Sequence, residues 1–161
     1  EIDKSKATWM KPERDPMNDA AQLAKNLREG KTKLSVTELL THARGADSSL
    51  SDAALTALAR ESVAWTPDTL KAMPAADRVW AFVALRRVNI NEEKWVRAML
   101  GDSDPEIRFE CLRWIADAVL KEFQPQVETM LGDSQLDFRL FEAVLATWNT
   151  LRGDPGAGVP D

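Results

Sequence analysis

A short motif occurs twice in this chain at a fixed offset, and this repetition constrains the fold more than any other feature. Leu100-Gly101-Asp102-Ser103 recurs 31 residues later as Leu131-Gly132-Asp133-Ser134. The apolar residue and the arginine that follow the motif recur at the same offset, as Ile107-Arg108 and Phe138-Arg139. Fixed periods of about 20 to 50 residues are typical of repeat architectures, in which neighbouring units bury each other's apolar faces.

Each copy of the motif follows a short apolar segment and precedes a longer one. A step of 30 residues back from Arg108 leads to Arg78, which precedes the apolar segment 79–85. Arg78, Arg108 and Arg139 therefore mark the first helices of three successive units. Shorter second helices are expected at 95–100 and 127–131. The sequence thus predicts helical hairpins with a period near 30 residues.

Signals for β-strands are weak along the whole chain, which has no Tyr, no alternating apolar run and no Asn-Gly or Asp-Gly hairpin turn. Helical periodicity with capping residues and glycine or proline stops predicts further helices at 16–30, 36–45, 51–63 and 67–73. We therefore predict an all-α fold, a right-handed α-solenoid of antiparallel helical hairpins. The predicted boundaries are an irregular arm at 1–14, one helical domain at 15–152 and a Gly/Pro-rich, linker-like tail at 153–161.

The segment Pro105–Leu120 is predicted to be a helix that is apolar over most of its circumference. Its only compact charged strip consists of Glu110, Arg113 and Asp117, and Trp114 flanks this strip. A helix of this kind must be covered on more than one side, as an interior helix of a stacked array is. Trp114 is the tryptophan that we expect to be most exposed, since it lies beside the charged strip.

Residues 102–108 (Asp-Ser-Asp-Pro-Glu-Ile-Arg), followed by Leu112 and Ala116, resemble the start of a HEAT repeat. The resemblance covers residues 75–152, whereas the earlier helices lack the Asp-Pro-x-x-Arg element. Residues 137–159 resemble segments of large secreted planctomycete-type proteins, which combine a dehydrogenase-like β-propeller, HEAT repeats and a cytochrome c-like haem domain. This resemblance implies a helical spacer module in a periplasmic or secreted protein, without the redox groups, because the chain has neither propeller repeats nor a haem motif.

The resemblance also implies a structural role for buried arginines. Arg108 lies about 40° from the apolar centre of its helix, where a charge needs a partner. In HEAT arrays such arginines bind acidic groups or helix-end carbonyls of the neighbouring unit, and the available acidic groups are Asp102, Asp104, Asp133 and Asp137. The expected ladder consists of Arg78, Arg108 and Arg139 with Asp102 and Asp133. The alternative is that these arginines line a groove and bind a carboxylate or phosphate.

Residues that could support catalysis or bind a metal are few. One histidine, His42, and one cysteine, Cys111, exclude a multi-ligand zinc site, a disulfide framework and a Cys-x-x-Cys-His haem attachment. No catalytic triad, Walker loop or Gly-x-Gly-x-x-Gly element is present. We expect His42 near a helix end and Cys111 on an apolar face to be structural, and we predict a protein that is not an enzyme and needs no cofactor.

The charge distribution limits the choice of partner. The net charge is −5, with +1 in each of the segments 1–50 and 51–100 and −7 in 101–161. An acidic final third argues against nucleic acid, because phosphate binding needs clustered positive charge. Five basic residues between 78 and 97 form the one plausible anion patch, with a solvated helical face as the alternative. The candidate binding residues are Arg78, Arg86, Arg87, Arg113 and Trp114.

These observations favour a helical-repeat scaffold or protein-interaction module that forms a segment of a larger multidomain protein. Its partner would be another protein or a neighbouring domain, and no run of roughly 18 apolar residues predicts a membrane span. Most of the six tryptophans are expected in the core. The last helix has no polar cap, so further repeats are expected to follow it. The alternative function is that of a HEAT-like DNA-binding protein or alkyl-base DNA glycosylase.

Overall fold

A computed structural model describes residues 16–88 and 92–153, and this part of the chain contains helices and no strand. The prediction of an all-α fold is therefore confirmed for the described residues. The predicted arm at 1–14 lies outside them, as does the predicted tail except Gly153. The helices are α1 (Pro16–Arg28), α2 (Val36–Ala43), α3 (Ser48–Glu61), α4 (Pro67–Lys71), α5 (Ala75–Val88), α6 (Glu92–Met99), α7 (Pro105–Ala118), α8 (Gln124–Leu131) and α9 (Phe138–Arg152), with short 3-10 turns at Ser62–Ala64 and Lys121–Phe123.

Side-chain caps fix where several helices begin. The Ser35 hydroxyl accepts a hydrogen bond from the Glu38 amide, and the Glu38 carboxylate accepts one from the Ser35 amide, which is a capping box at the start of α2. Asp137 accepts from the Leu140 amide at 2.8 Å at the start of α9. Asp47 caps α3 in the same way, so α3 begins at Ser48, three residues earlier than the sequence predicts.

The helices pack in a regular order along the chain. Among the described helices, α3 packs between α1 and α5, α5 packs between α3 and α7, and α7 packs between α5 and α9. We call these five helices the odd-numbered row. The intervening helices α2, α4, α6 and α8 each pack against the following member of the row. One continuous core of buried aliphatic and aromatic side chains runs through both sets of helices.

Trp114 is buried, with only 2 % of its surface exposed, so the expectation that it is exposed is wrong. Its ring meets the ring of Phe82 on α5 edge to face, at 5.4 Å between centroids. The charged strip beside Trp114 misled the prediction, because part of the strip contacts α5: Glu110 is largely buried, while Arg113 and Asp117 remain exposed. Glu110 and Asp117 of this strip bind Arg86 of α5, and the ion pairs make a charged strip compatible with a helix interface.

The other tryptophans within the described residues belong to the core or pack against it. Trp95 is buried, while Trp65, Trp80 and Trp148 are half-buried against the core. Trp9 lies outside the described residues.

In the described part of the chain, no helix combines the length and the apolar character that a membrane crossing requires.

Candidate functional site

Three of the five candidate binding residues meet in a surface groove between α5 and α7. The groove has a volume of about 340 Å³. Arg86 and Arg87 of α5 line it together with Trp114 and Asp117 of α7, and Val83 and Ala118 complete the lining. Arg78 and Arg113, the other two candidates, do not line the groove. The packing of α7 against α5 therefore assembles a site from residues that lie far apart in sequence, such as Arg86 and Asp117 at a separation of 31 positions.

Arg86 is bound by two carboxylates of α7 and is not available as a simple anion site. One of its terminal nitrogens donates a hydrogen bond to Glu110, and the other donates to Asp117 at 2.5 Å. The Arg86 and Glu110 side chains are only 17 % and 11 % exposed. Glu110 also accepts from Arg113 at 3.1 Å. Two arginines and two carboxylates thus form a neutral network across the interface, called the α5–α7 network below.

Arg87 faces the opposite neighbour in the row. Its guanidinium donates to the Asp52 carboxylate of α3 at 2.8 Å, and Arg28 of α1 lies 3.5 Å from the same carboxylate. The hydrogen bond from Arg87 is the largest effect and lowers the pKa of Asp52. Burial opposes it, and the charges of Arg87 and Arg28 add to the lowering. Arg87 therefore holds α5 against α3 and is already neutralised.

The expected arginine ladder is present at one rung. One terminal nitrogen of the Arg78 guanidinium lies 3.2 Å from a carboxylate oxygen of Asp102, and both side chains are largely buried. The other terminal nitrogen donates a hydrogen bond to the Lys71 carbonyl at 3.2 Å. Arg139 is paired with Glu106 of α7 and not with an aspartate of the repeated motif. Its guanidinium also lies over the Phe109 ring, 4.1 Å from the centroid.

Arg108 and Asp133 do not form the equivalent rung. Within the described residues Arg108 makes no ion pair, and its buried Nε has no hydrogen-bond partner. Asp133 is exposed and accepts a hydrogen bond from the Gln135 amide at 2.9 Å.

Sequence reasoning missed several carboxylates that bind these arginines, above all Asp52 and Glu106. A usable signal was present, because the arginine and its acidic partner are separated by about one period. The separations are 35 residues for Arg87 and Asp52, and 33 residues for Arg139 and Glu106. Searching for arginine–carboxylate pairs at this spacing would have found them.

His42 and Cys111 have the structural settings that the sequence suggested. His42 lies half-buried in the last turn of α2. Cys111 is fully buried on α7, and its burial raises the pKa of the thiol well above its usual range. The charges of Asp102 and Glu110 act in the same direction, while Arg86 opposes them. Among the described residues there is no cluster of three or more His, Cys, Asp or Glu side chains that could bind a metal ion.

We expect Cys111 to be inert in the folded protein. Alkylation by iodoacetamide under native conditions should be at least about a thousandfold slower than in the urea-unfolded chain, because the thiolate forms only when the chain opens. The assay reads a single site, since the chain has one cysteine. Rapid native alkylation that does not respond to denaturant would contradict the burial of this thiol.

The geometry of the groove makes it a poor receptor for phosphate. An incoming anion would have to displace Glu110 or Asp117 from Arg86, or Asp52 from Arg87, and leave a carboxylate behind without its partner.

Comparison of the chain with protein-family models, with curated proteins and with solved structures finds no match among them.

Proposed function

We propose that this chain is a non-enzymatic helical-repeat scaffold of the HEAT type that binds another protein or a neighbouring domain of a larger polypeptide. The observation that carries the proposal is the pairing of the candidate arginines with carboxylates of adjacent helices. Arg86 pairs with Glu110 and Asp117, and Arg87 pairs with Asp52. Arginines used in this way hold helices together, and they are not available as ligands for a substrate.

The order of helix packing supports an α-solenoid with a period near 30 residues, and the proposed hand is right-handed. Each member of the odd-numbered row contacts the preceding and following members, as units of a stacked array do. The ion pairs follow the same order, from Arg87 back to α3, from Arg86 forward to α7 and from Arg139 back to α7. An array of this kind offers extended surfaces for other proteins.

The alternative function, an alkyl-base DNA glycosylase or other HEAT-like DNA-binding protein, requires a basic groove. Neutralised arginines and a net charge of −7 in residues 101–161 weigh against it. DNA affinity derives mainly from cations that replace the counterions of phosphates, and a paired arginine contributes little to that exchange.

The proposal predicts no salt-dependent DNA binding and no release of alkylated bases. Fluorescence anisotropy with a labelled duplex at about 50 mM and about 200 mM salt should show no saturable binding at either concentration. Incubation with a methylated oligonucleotide should leave its bases attached. Saturable binding that weakens with salt, or release of an alkylated base, would overturn the proposal in favour of the DNA-binding alternative.

The scaffold role is tested separately with purified components. Proteins captured by the immobilised chain would be produced individually and mixed with it, and a partner should form a complex of fixed stoichiometry. Cross-links between the two proteins, located by mass spectrometry, then identify the face that is used. Failure of every captured protein to form such a complex would contradict the scaffold role.

A further inference from the structure

The last helix of the row carries an apolar stripe that no other described helix covers. Helix α9 packs against α7 and α8 with one side. On another side Phe138 is 75 % exposed and Phe141 is 39 % exposed. Leu145, half-buried, continues the stripe, since residues spaced by three and four positions lie on one face of a helix. We call the surface formed by Phe138, Phe141, Glu142 and Leu145 the outer face of α9.

A cavity extends this surface at the start of α9. Its volume is about 470 Å³, and it lies beside the turn between α8 and α9. Leu131, Leu136, Phe138 and Phe141 line it together with the polar turn Gly132, Asp133 and Ser134. A cavity of this size can take a large side chain of a partner, whose apolar part would lie against the leucines and phenylalanines, as the anchor residues of docked helices do.

Two arginines of this protein, Arg139 and Arg97, each bind a carboxylate and an aromatic ring at the same time. Arg139 lies between the Glu106 carboxylate and the Phe109 ring of α7, 4.1 Å from the ring centroid. A terminal nitrogen of Arg97 lies 2.6 Å from a carboxylate oxygen of Glu93, and its guanidinium carbon lies 5.3 Å from the centroid of the Phe123 ring. In both places a guanidinium combines an ion pair with a cation–π contact. We call such a combination of carboxylate and aromatic ring an arginine seat.

The outer face of α9 presents the same two groups without an occupant. Phe138 and Glu142 are four residues apart on α9, so they lie one turn apart on the same face. Both are exposed, and within the described part of the chain no cation lies against either of them. The same face thus joins an arginine seat to an apolar stripe and a cavity.

We propose that the outer face of α9 binds an amphipathic helix of a protein partner, with an apolar side chain in the α8–α9 cavity and an arginine between Phe138 and Glu142. This inference rests on the proposed scaffold function and specifies the partner that it would bind. The chemistry of the surface selects a helix that is apolar on one side and carries an arginine beside the apolar residues.

A second copy of this chain fits the surface poorly. Residues 101–161 carry a net charge of −7, so two outer faces would bring like charges together. The arginines of α9 are already engaged, because Arg139 pairs with Glu106 and Arg152 lies over the Trp148 ring at 4.3 Å. At the other end of the row, α1 exposes polar residues such as Gln22 and Lys25. The charge of the surface therefore favours a basic partner over self-association.

Two matched synthetic peptides test this site. Each is an amphipathic helix of about 18 residues, long enough to be partly helical alone. The two share a leucine stripe and differ in having two arginines or two glutamates beside it. The arginine peptide should bind the intact chain at least about tenfold more tightly than the glutamate peptide, because only arginine can pair with Glu142 and stack on Phe138.

Variants of the outer face of α9 test whether the preference for the arginine peptide arises from Phe138 and Glu142. Phe138→Ala should weaken binding of the arginine peptide about tenfold, and Glu142→Arg should reverse the order of the two peptides. Both positions are exposed, so unchanged thermal unfolding is expected for each variant and serves as the folding control. Val63→Ala, at another exposed apolar position, should leave peptide binding unchanged.

Three outcomes would overturn the proposal. The peptides could bind equally well, the variants could leave the preference unchanged, or the chain could form a dimer that Phe138→Ala dissociates in analytical ultracentrifugation. The scaffold function is judged independently. If a purified partner still binds the double variant Phe138→Ala/Glu142→Arg, the scaffold function stands and the site on α9 is wrong.

Discussion

Replacing Trp114 by alanine is expected to lower the free energy of unfolding by about 3 to 5 kcal/mol, the range typical for removing a buried aromatic side chain. Trp114 is 2 % exposed, and its ring packs edge to face on Phe82. The substitution removes apolar contacts between α5 and α7 and leaves a cavity that neighbouring helices can fill only in part. Urea unfolding followed by circular dichroism measures the change.

Two variants make this prediction decisive even if the alanine variant does not fold. Trp114→Phe keeps an aromatic ring in the interface and should cost less than Trp114→Ala. Val63→Ala changes a side chain that is 73 % exposed and should shift stability by less than about 0.5 kcal/mol. Equal stability of Trp114→Ala and the parent chain would show that Trp114 is exposed, as the sequence alone suggested.

Replacing Glu110 by alanine is expected to cost about 3 kcal/mol, near the lower end of the range for breaking a buried ion pair. Glu110 accepts hydrogen bonds from Arg86 and Arg113, and its side chain is 11 % exposed. The loss leaves Arg86 buried with Asp117 as its remaining partner, and this second carboxylate keeps the cost from being larger. Chemical denaturation at neutral pH measures the change.

A double variant and a surface pair provide the controls for this second prediction. Arg86→Met/Glu110→Leu removes both buried charges and should recover most of the lost stability, because apolar side chains of similar volume avoid the cost of burying ions. Glu93→Ala breaks the exposed pair with Arg97 and should cost less than about 1 kcal/mol. Similar losses for Glu110→Ala and Glu93→Ala would contradict a buried role for the α5–α7 network.

The pairing of the arginines between residues 78 and 97 weighs against the alternative that this basic segment is an anion-binding patch. Arg78, Arg86 and Arg87 each bind a carboxylate of another part of the helical array. An arginine used as an interhelical clamp and an arginine used as a phosphate receptor look the same in sequence. Only the position of the neighbouring carboxylates distinguishes them.

Part of the site was foreseeable from the sequence and part was not. The pairing of Arg78 with Asp102 was implied by the resemblance to HEAT repeats, in which such arginines bind acidic groups of the neighbouring unit. Arg139 with Glu106 did not follow from the motif, since Glu106 is not one of its aspartates. In the two arginine seats, the aromatic ring belongs to a different element from the arginine: Phe109 of α7 contacts Arg139, and Phe123 contacts Arg97. Which ring contacts which arginine therefore depends on how the helices are rotated against each other.

The sequence by itself determined the helices, because their causes are local. A capping serine or aspartate, a proline in the first turn and a glycine at the end act within a few residues, as Ser35, Pro105 and Gly153 do. The tertiary structure alone decided which side of each helix meets another helix. Trp114 and Arg86 show the consequence, because their burial depends on the rotation of α5 against α7. That rotation results from contacts between residues far apart in sequence, and helical periodicity does not record which apolar or charged face the next helix will cover.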